Sequence, residues 1–379
     1  MRYSEAVRWL EAQRRAGRAR GPQRAAAILA ALGVEGGPRL VHVVGTNGKG
    51  SVAAYLEAGF RAAGVRAGAF TSPHLVDLRE RVRIDGVPVA PGEVANFVRR
   101  VRGSGLEGAF FDWMLAFALE RFAARGVGWA ALEAGVGGAS DATMAARGVE
   151  LVVLTNVGRD HLASYGGSLA ALAWDKAGAV RPGVPVVTAA TGVGLAALEA
   201  RAARVGAPLF RYDPADPLFR LPRAPALAGR FQQVNAALAA AALRLLGFSE
   251  RAVSAALEGA RLPARLDRRR WRGVEVVLDG AHNPDAARAL AAELPRYHLV
   301  FGAQPHKAPG EVLAPLLAGA RSLVFTWPAE GPMNGGAYEP EPRRALALAA
   351  ARAQEDGEPV LVTGSLYLAG RLLALGLFD

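Results

Sequence analysis

The chain contains no cysteine, which excludes a disulfide framework, a thiolate nucleophile and a thiolate metal site and suits a reducing compartment. It has no apolar run near the roughly 18 residues needed to cross a bilayer. The longest such run, Ala236 to Leu246, is interrupted by Arg244. Its start, MRYSEAVRWLEAQRRAGRAR, reads as a charged amphipathic helix without the apolar centre of a signal peptide. A soluble, cytoplasmic protein is expected. Aromatic residues are scarce at 7%. The two short arginine clusters, Arg14 to Arg24 and Arg265 to Arg272, lack the repeated aromatic interleaving of single-strand nucleic-acid binders. The formal net charge of +11 therefore points to an anionic small molecule, such as a nucleotide or a polycarboxylate, and not to nucleic acid.

Lysine is almost absent. Of 45 basic residues only three are lysine, and each sits in a polar, chemistry-like stretch: Lys49 in VVGTNGKGSV, Lys176 in AWDKAGAV and Lys307 in VFGAQPHKAP. A chain that uses arginine for ordinary surface charge keeps lysine where a compact ammonium or a deprotonatable amine is needed.

What is present is the composition of a globular protein: 379 residues, 51% hydrophobic and 21% charged, enough for two domains. From residue 39 onward, short β-branched runs alternate with Ala/Leu-rich stretches of helical period, the pattern of a parallel α/β sheet. Strands are expected at Leu40 to Val44, Ala67 to Phe70, Trp129 to Glu133, Leu151 to Asn156 and Val184 to Thr188. Helices are expected at Ser51 to Ala63, Asp112 to Arg125 and Gln232 to Leu246. A second cycle follows the Arg/Pro-rich segment RLPARLDRRRWRG. It has strands at Val274 to Asp279, Leu299 to Phe301, Ser322 to Thr326 and Val360 to Thr363, with helices at Pro284 to Leu294 and Glu341 to Gln354. The expected architecture is α/β: a phosphate-loop NTPase-like parallel-sheet domain over 1–262, a linker over 263–272 and a smaller Rossmann-like α/β domain over 273–379. Ligands are expected at the domain boundary.

Gly45-Thr46-Asn47-Gly48-Lys49-Gly50-Ser51 follows a hydrophobic strand and opens a helix. Glycines let backbone N–H groups turn toward an anion, the helix N-terminus adds a favourable dipole, and the lysine reaches the terminal phosphates. The loop departs from the common GxxxxGK[ST] form, with Val43 at the first glycine position and Gly50 after the lysine. Three further polar islands stand at expected strand ends, where the active edge of a parallel sheet lies: Thr71 to His74, Glu133 with Gly135 to Asp141, and Asn156 to His161. A hydroxyl, a carboxylate and an imidazole near a triphosphate suit a divalent metal. Each also has a plainer role open to it: Ser72 as an ordinary turn, Glu133 as an arginine partner, His161 as a helix cap.

These segments stand in a familiar order. HVVGTNGKGS, FTSPHL with ERVRIDG after it, LEAGVGGASDAT, NVGRDH, DKAG, DGAHNP and GSLYLAG make the chain resemble the folylpolyglutamate synthases and dihydrofolate synthases, a branch of the Mur ligase superfamily, from residue 20 to residue 372. The resemblance implies a monomeric ATP-dependent amide ligase that makes an acyl phosphate on a folate or dihydropteroate carboxylate and then joins L-glutamate to it. It implies that Lys49 and the Gly45 to Ser51 backbone hold the ATP phosphates and that Ser72, Glu133 and His161 ligate Mg2+. It further implies that Asn235, Arg265 and Asp279, with His282 beside them, contact ATP, and that Lys176 is carbamylated by carbon dioxide, a reaction that needs a primary amine. An ion pair of Lys176 with Asp175 or another acid is the plainer alternative, and His282 is equally placed to be a helix cap.

The chain departs from the family pattern at several points. Ala139 stands for the usual arginine, Met144 for an asparagine, Phe231 for a histidine and Asp175 for a glutamate; Phe110-Phe111-Asp112 replaces FFE; and His306-Lys307 replaces an acid-lysine-acid stretch. A Mur-type ligase for a cell-wall precursor is the alternative within the class. The segment Gly17 to Leu32 resembles the pterin-proximal region of the folate enzymes, and an additional UDP-sugar domain is not expected, which favours folate. A phosphate-loop switch that performs no ligation is the alternative outside the class.

Overall fold

The computed structural model describes residues 1–13, 20–34, 36–332 and 336–379. The basic residues Arg14, Arg15 and Arg18 lie outside the described residues, as does the start of the segment from Gly17. Two compact units are present. The first comprises Met1–Val157, Leu162–Ala226 and Gln233–Arg261; the second comprises Gly158–His161, Leu227–Gln232 and Leu262–Asp379.

The first unit carries strands β1 (Arg39–Val44), β2 (Ala67–Phe70), β3 (Val82–Ile84), β4 (Val87–Pro88), β5 (Trp129–Glu133), β6 (Val149–Leu154), β7 (Val186–Thr188) and β8 (Leu209–Arg211). Its helices are α1 (Tyr3–Ala12), α2 (Gln23–Ala31), α3 (Lys49–Ala62), α4 (Pro91–Val101), α5 (Phe110–Ala124), α6 (Leu169–Ala177) and α7 (Gly192–Val205), then α8 (Arg230–Leu245), whose first turn is grouped with the second unit, and α9 (Glu250–Gly259). The sheet order is β4-β3-β2-β5-β1-β6-β7-β8, parallel except where β3 pairs antiparallel with β2 and β4. Strand β1 therefore lies at the centre, between β5 and β6, where successive crossovers leave to opposite sides. In parallel sheets such a switch point opens a crevice at the carboxyl edge. The residues agree with this burial: β1 reads RLVHVV with every position after Arg39 buried, as a strand covered on both faces must be. Helix α3 is rich in Ala and Gly and is buried from Ser51 to Phe60, packing on β5 and on α9.

Expected and observed elements agree closely for the strands Ala67–Phe70 and Trp129–Glu133, while Leu151 to Asn156 and Val184 to Thr188 shift or shorten to β6 and β7. The β3–β4 hairpin had no strand expectation. It turns at Asp85-Gly86, both at positive φ (52° and 81°), the two-residue turn that Asp-Gly favours.

The second unit carries β9 (Asp267–Trp271), β10 (Val274–Leu278), β11 (Tyr297–Phe301), β12 (Ala320–Phe325), β13 (Ala337–Tyr338) and β14 (Val360–Thr363), with α10 (Pro284–Ala291), α11 (Pro309–Leu313), α12 (Pro342–Asp356) and α13 (Leu366–Ala374). The order is β13-β12-β11-β14-β10-β9, with β9 antiparallel to β10. The segment 263–272, read from sequence as a linker, thus contains an edge strand. Its arginines misled: Arg268 and Arg270 occupy the exposed alternate positions of β9, and Arg272-Gly273, at φ 51° and 80°, forms the two-residue turn into β10. Among the described residues no helix is long and apolar enough to cross a membrane.

Candidate active site

The loop after β1 is shaped by its glycines. Gly48 caps α3 in the left-handed region (φ 86°), and a Cβ there would lie 2.2 Å from Asn235 Oδ1 of α8. Asn235 therefore packs directly on the loop. At Gly45 (φ 147°) a Cβ would lie 1.9 Å from Thr155 Oγ1, so Thr155, directly after β6, also packs on the loop. Lys49 Nζ donates to the carbonyls of Gly45 (3.0 Å) and Thr46 (3.1 Å). Lys176, buried on α6, donates from Nζ to the same Gly45 carbonyl at 2.8 Å. Two of the three lysines thus converge on one carbonyl oxygen. Ser51 is buried in the first turn of α3.

Two residues that sequence reasoning left without a role hold this loop. Thr155 Oγ1 donates to Asn47 O at 2.6 Å, and Asn156 brackets the backbone of the same residue, accepting from Asn47 N (3.0 Å) and donating from Nδ2 to Asn47 O (3.2 Å). Thr46 N donates to Asn156 O as well. The clue was present in NVGRDH, whose asparagine lies directly after a strand end beside the central loop.

Ser72 follows β2 and Glu133 ends β5, neighbouring strands in the sheet. The Ser72 backbone N–H donates to Glu133 Oε2 at 3.0 Å, so the hydroxyl-bearing residue and the buried carboxylate are adjacent. His161 belongs with the second unit. It stands in the left-handed region (φ 55°), and its backbone N–H donates to Asp160 Oδ1. Among the described residues no group of three or more His, Cys, Asp or Glu could hold a metal; the Ser72–Glu133 pair brings a hydroxyl and one carboxylate.

Behind the EAGVGGASD segment two carboxylates fix the backbone. Asp175 accepts from Gly138 N (2.9 Å), Ser140 N (2.9 Å), Ser140 Oγ (3.0 Å) and Tyr165 OH (2.8 Å). These bonds hold the Asp175 carboxylate on the glycine loop. Asp141 accepts from Val136 N (2.9 Å), Thr143 N (2.9 Å) and Thr143 Oγ1 (2.5 Å), and His42 Nε2 lies 2.8 Å from that same hydroxyl. Since the hydroxyl proton goes to Asp141, Nε2 carries the imidazole proton and donates. His42 Nδ1 is buried without a partner. Burial, and then the charge of Arg181, push the His42 pKa down to about 3, while burial raises that of Asp141.

In the second unit Asp279 ends at the β10 carboxyl edge, where it accepts from Leu266 N and Ala281 N, both at 2.8 Å. Burial raises its pKa against the opposing charge of Arg265. His282 donates from Nδ1 to Gly280 O (2.8 Å), and its Nε2 lies 3.4 Å from Asp160 Oδ2; the cap of α10 is Asn283, not His282. Lys307 Nζ donates to Asp160 Oδ1 (2.7 Å) and lies 3.2 Å from His161 Nε2. Burial alone would raise the Asp160 pKa, but the His282 hydrogen bond and the charges of His161, His282 and Lys307 outweigh it and hold the carboxyl far below its usual range. Sequence reasoning passed over Asp160, which organises this cluster.

A glycine loop between strand and buried helix, at the switch point of a parallel sheet and followed by a second α/β unit, defines a phosphate-loop α/β protein. Comparison narrows this. No family model matches the chain. It is 34% identical over 97% of its length to a probable bifunctional folylpolyglutamate synthase/dihydropteroate synthase of Haloferax volcanii, of which it spans 50%. In three dimensions it is similar to E. coli FolC in complex with DHPP and ADP (TM-score 0.85, 27% identity, 99% of this chain and 97% of that one). It is also similar to a bifunctional folylpolyglutamate synthase/dihydrofolate synthase from Yersinia pestis complexed with AMPPNP and Mn ion (TM-score 0.81, 25% identity, 99% and 98%). The chain belongs to the folylpolyglutamate synthase/dihydrofolate synthase family.

Proposed function

We propose that this protein is an ATP-dependent ligase that joins L-glutamate to a folate-type acceptor, dihydropteroate, tetrahydrofolate or both, through an acyl phosphate. The observation that carries the reading is the loop Gly45–Ser51, held rigid by Thr155 and Asn156 at the centre of the sheet, in a chain whose relatives are named for this chemistry. The acceptor carboxylate attacks the γ-phosphorus and ADP departs. The amino group of glutamate then attacks the acyl carbon, an amide forms and phosphate leaves. Lys49 and the N–H groups that open α3 hold the phosphates, and they act where a buried helix excludes water and strengthens each charge interaction. Lys49 now rests on two loop carbonyls, contacts that an incoming phosphate would replace.

A divalent cation is part of the reading. The oxygen donors of Ser72 and Glu133, adjacent at a strand end, fit a hard ion such as Mg2+, and His161 completes the set inferred from the family pattern. Such an ion neutralises phosphate charge. Lys176 is proposed to carry a carbamate: it is buried and it is a primary amine, the group that such a modification needs. Asn235, Arg265, Asp279 and His282 are proposed to serve the nucleotide, with Asp279 and His282 acting through the backbone they hold. The two units are proposed to correspond to the central and carboxyl-terminal domains of a Mur-type ligase.

The test is mass spectrometry of products after incubation with ATP, Mg2+, L-glutamate and either dihydropteroate or tetrahydrofolate, with phosphate release followed in parallel. A glutamyl mass increment on either acceptor is expected. Phosphate release without an increment on either would replace the reading with a cell-wall ligase or a non-ligating NTPase.

A further inference from the structure

Behind Ser72 lies a buried ionic assembly that the proposed chemistry does not use. Glu57 stands on α3, the helix opened by the phosphate loop, and Arg83 stands on β3. The guanidinium spends one edge on the carboxylate, with Nε and Nη2 donating to Glu57 Oε2 at 3.0 and 2.8 Å. Its remaining nitrogen, Nη1, donates to Thr71 Oγ1 (3.1 Å) and to Glu80 O (2.9 Å). Glu57 Oε1 accepts from Gly86 N in the hairpin turn at 3.2 Å. The side chains of Glu57 and Arg83 are 7% and 16% exposed, and Thr71 is buried. Thr71 immediately precedes Ser72, whose N–H is the one that meets Glu133.

A buried ion pair is a poor source of net stability, because desolvation offsets most of the Coulomb attraction. Its physical effect here is orientation. One planar cation bonds three groups from three separate chain segments, which a lysine ammonium on a flexible stem does not reproduce. We propose that Glu57, Arg83 and Thr71 are positioning residues that lock the Thr71–Ser72 peptide against Glu133 and tie it to the phosphate-loop helix, and so set the affinity of the site for a divalent cation. The inference rests on Ser72 and Glu133 being cation ligands, as proposed above.

The probe is Mn2+, its binding to the full chain followed by electron paramagnetic resonance in the presence of AMPPNP, for wild type, Ser72→Ala, Thr71→Val and Arg83→Lys. Outer partners of metal ligands typically set affinity by about 10–100-fold. Arg83→Lys is expected to weaken Mn2+ in that range. Thr71→Val, which removes the hydroxyl that Arg83 holds together with its long bond to Glu80 O (3.4 Å), is expected at the lower end of it, with unchanged AMPPNP binding in the absence of divalent ion and an unchanged melting temperature. If wild type and Ser72→Ala bind Mn2+ alike, the ligand reading falls and takes the inference with it. If Ser72→Ala loses Mn2+ while Thr71→Val and Arg83→Lys bind as wild type, the ligands stand and the positioning role is overturned. Should Arg83→Lys fail to fold, Thr71→Val decides the question.

Discussion

Mild acid should weaken the first unit through His42. This imidazole is fully buried on the central strand, donates from Nε2 to Thr143, and has a bare Nδ1 with nothing to accept a second proton's hydrogen bond. Its pKa falls to about 3, against about 6.5 in an unfolded chain. Above pH 6.5 neither state is protonated there and the residue contributes no pH dependence. Below pH 6.5 the unfolded chain takes up a proton that the folded chain refuses until about pH 3, so stability falls as the pH falls. The slope is about 1.4 kcal/mol per pH unit, or about 2 kcal/mol between pH 6.5 and pH 5. Asp141, whose pKa is raised by burial, works in the opposite direction, favouring the folded state as it takes up its proton, so wild type alone does not isolate the histidine. His42→Gln keeps an N–H for Thr143 and removes the titrating group. Urea unfolding at pH 7, 6 and 5, read by the fluorescence of the buried Trp113 and Trp129, should show the wild-type free energy dropping more steeply than that of the variant, by about 2 kcal/mol over the range. Parallel curves would refute the argument, because they would mean that His42 finds a protonation partner when folded.

Three further outcomes are expected. Lys49→Ala should lower kcat by about 10²–10³-fold, the cost typical of losing one preorganised charge-stabilising group; near wild-type turnover in a steady-state phosphate-release assay would remove the loop from the chemistry. Asn156→Ala deletes both side-chain bonds to the Asn47 backbone and should weaken AMPPNP binding, measured by calorimetry, by about 1–3 kcal/mol, whereas unchanged affinity would mean that Thr155 suffices. Lys176→Arg should be inactive, and wild type prepared free of bicarbonate should lose activity that added bicarbonate restores; full activity in either case would rule out the carbamate.

Much of the candidate site was legible because the chemistry proposed for it is written in local sequence. The phosphate loop announces itself by glycines between a buried strand and a helix, and the scarcity of lysine singled out Lys49 and Lys176, which meet at Gly45 O. The β9 strand was not legible: alternate arginines on a solvent-facing edge look like a polar connector until their neighbour in the sheet is known. Asp160 was hidden for a similar reason, since a carboxylate beside a histidine in a polar loop carries no mark of being buried against Lys307 and His282.

The sequence by itself determined the class of fold, the order of the strands that end in polar loops, and the family, since periodicity and collinear motifs are properties of the chain. Only the tertiary structure decided which polar groups act on one another. Pairing β1 between β5 and β6 brings Thr155 and Asn156 onto a loop more than a hundred residues earlier in the chain. The packing of α3, β3 and the Thr71 turn makes a single assembly of Glu57, Arg83 and Thr71. Hydrogen bonds act over about 3 Å, and a separation that small between distant residues is set by how helices and strands pack, which no local pattern records.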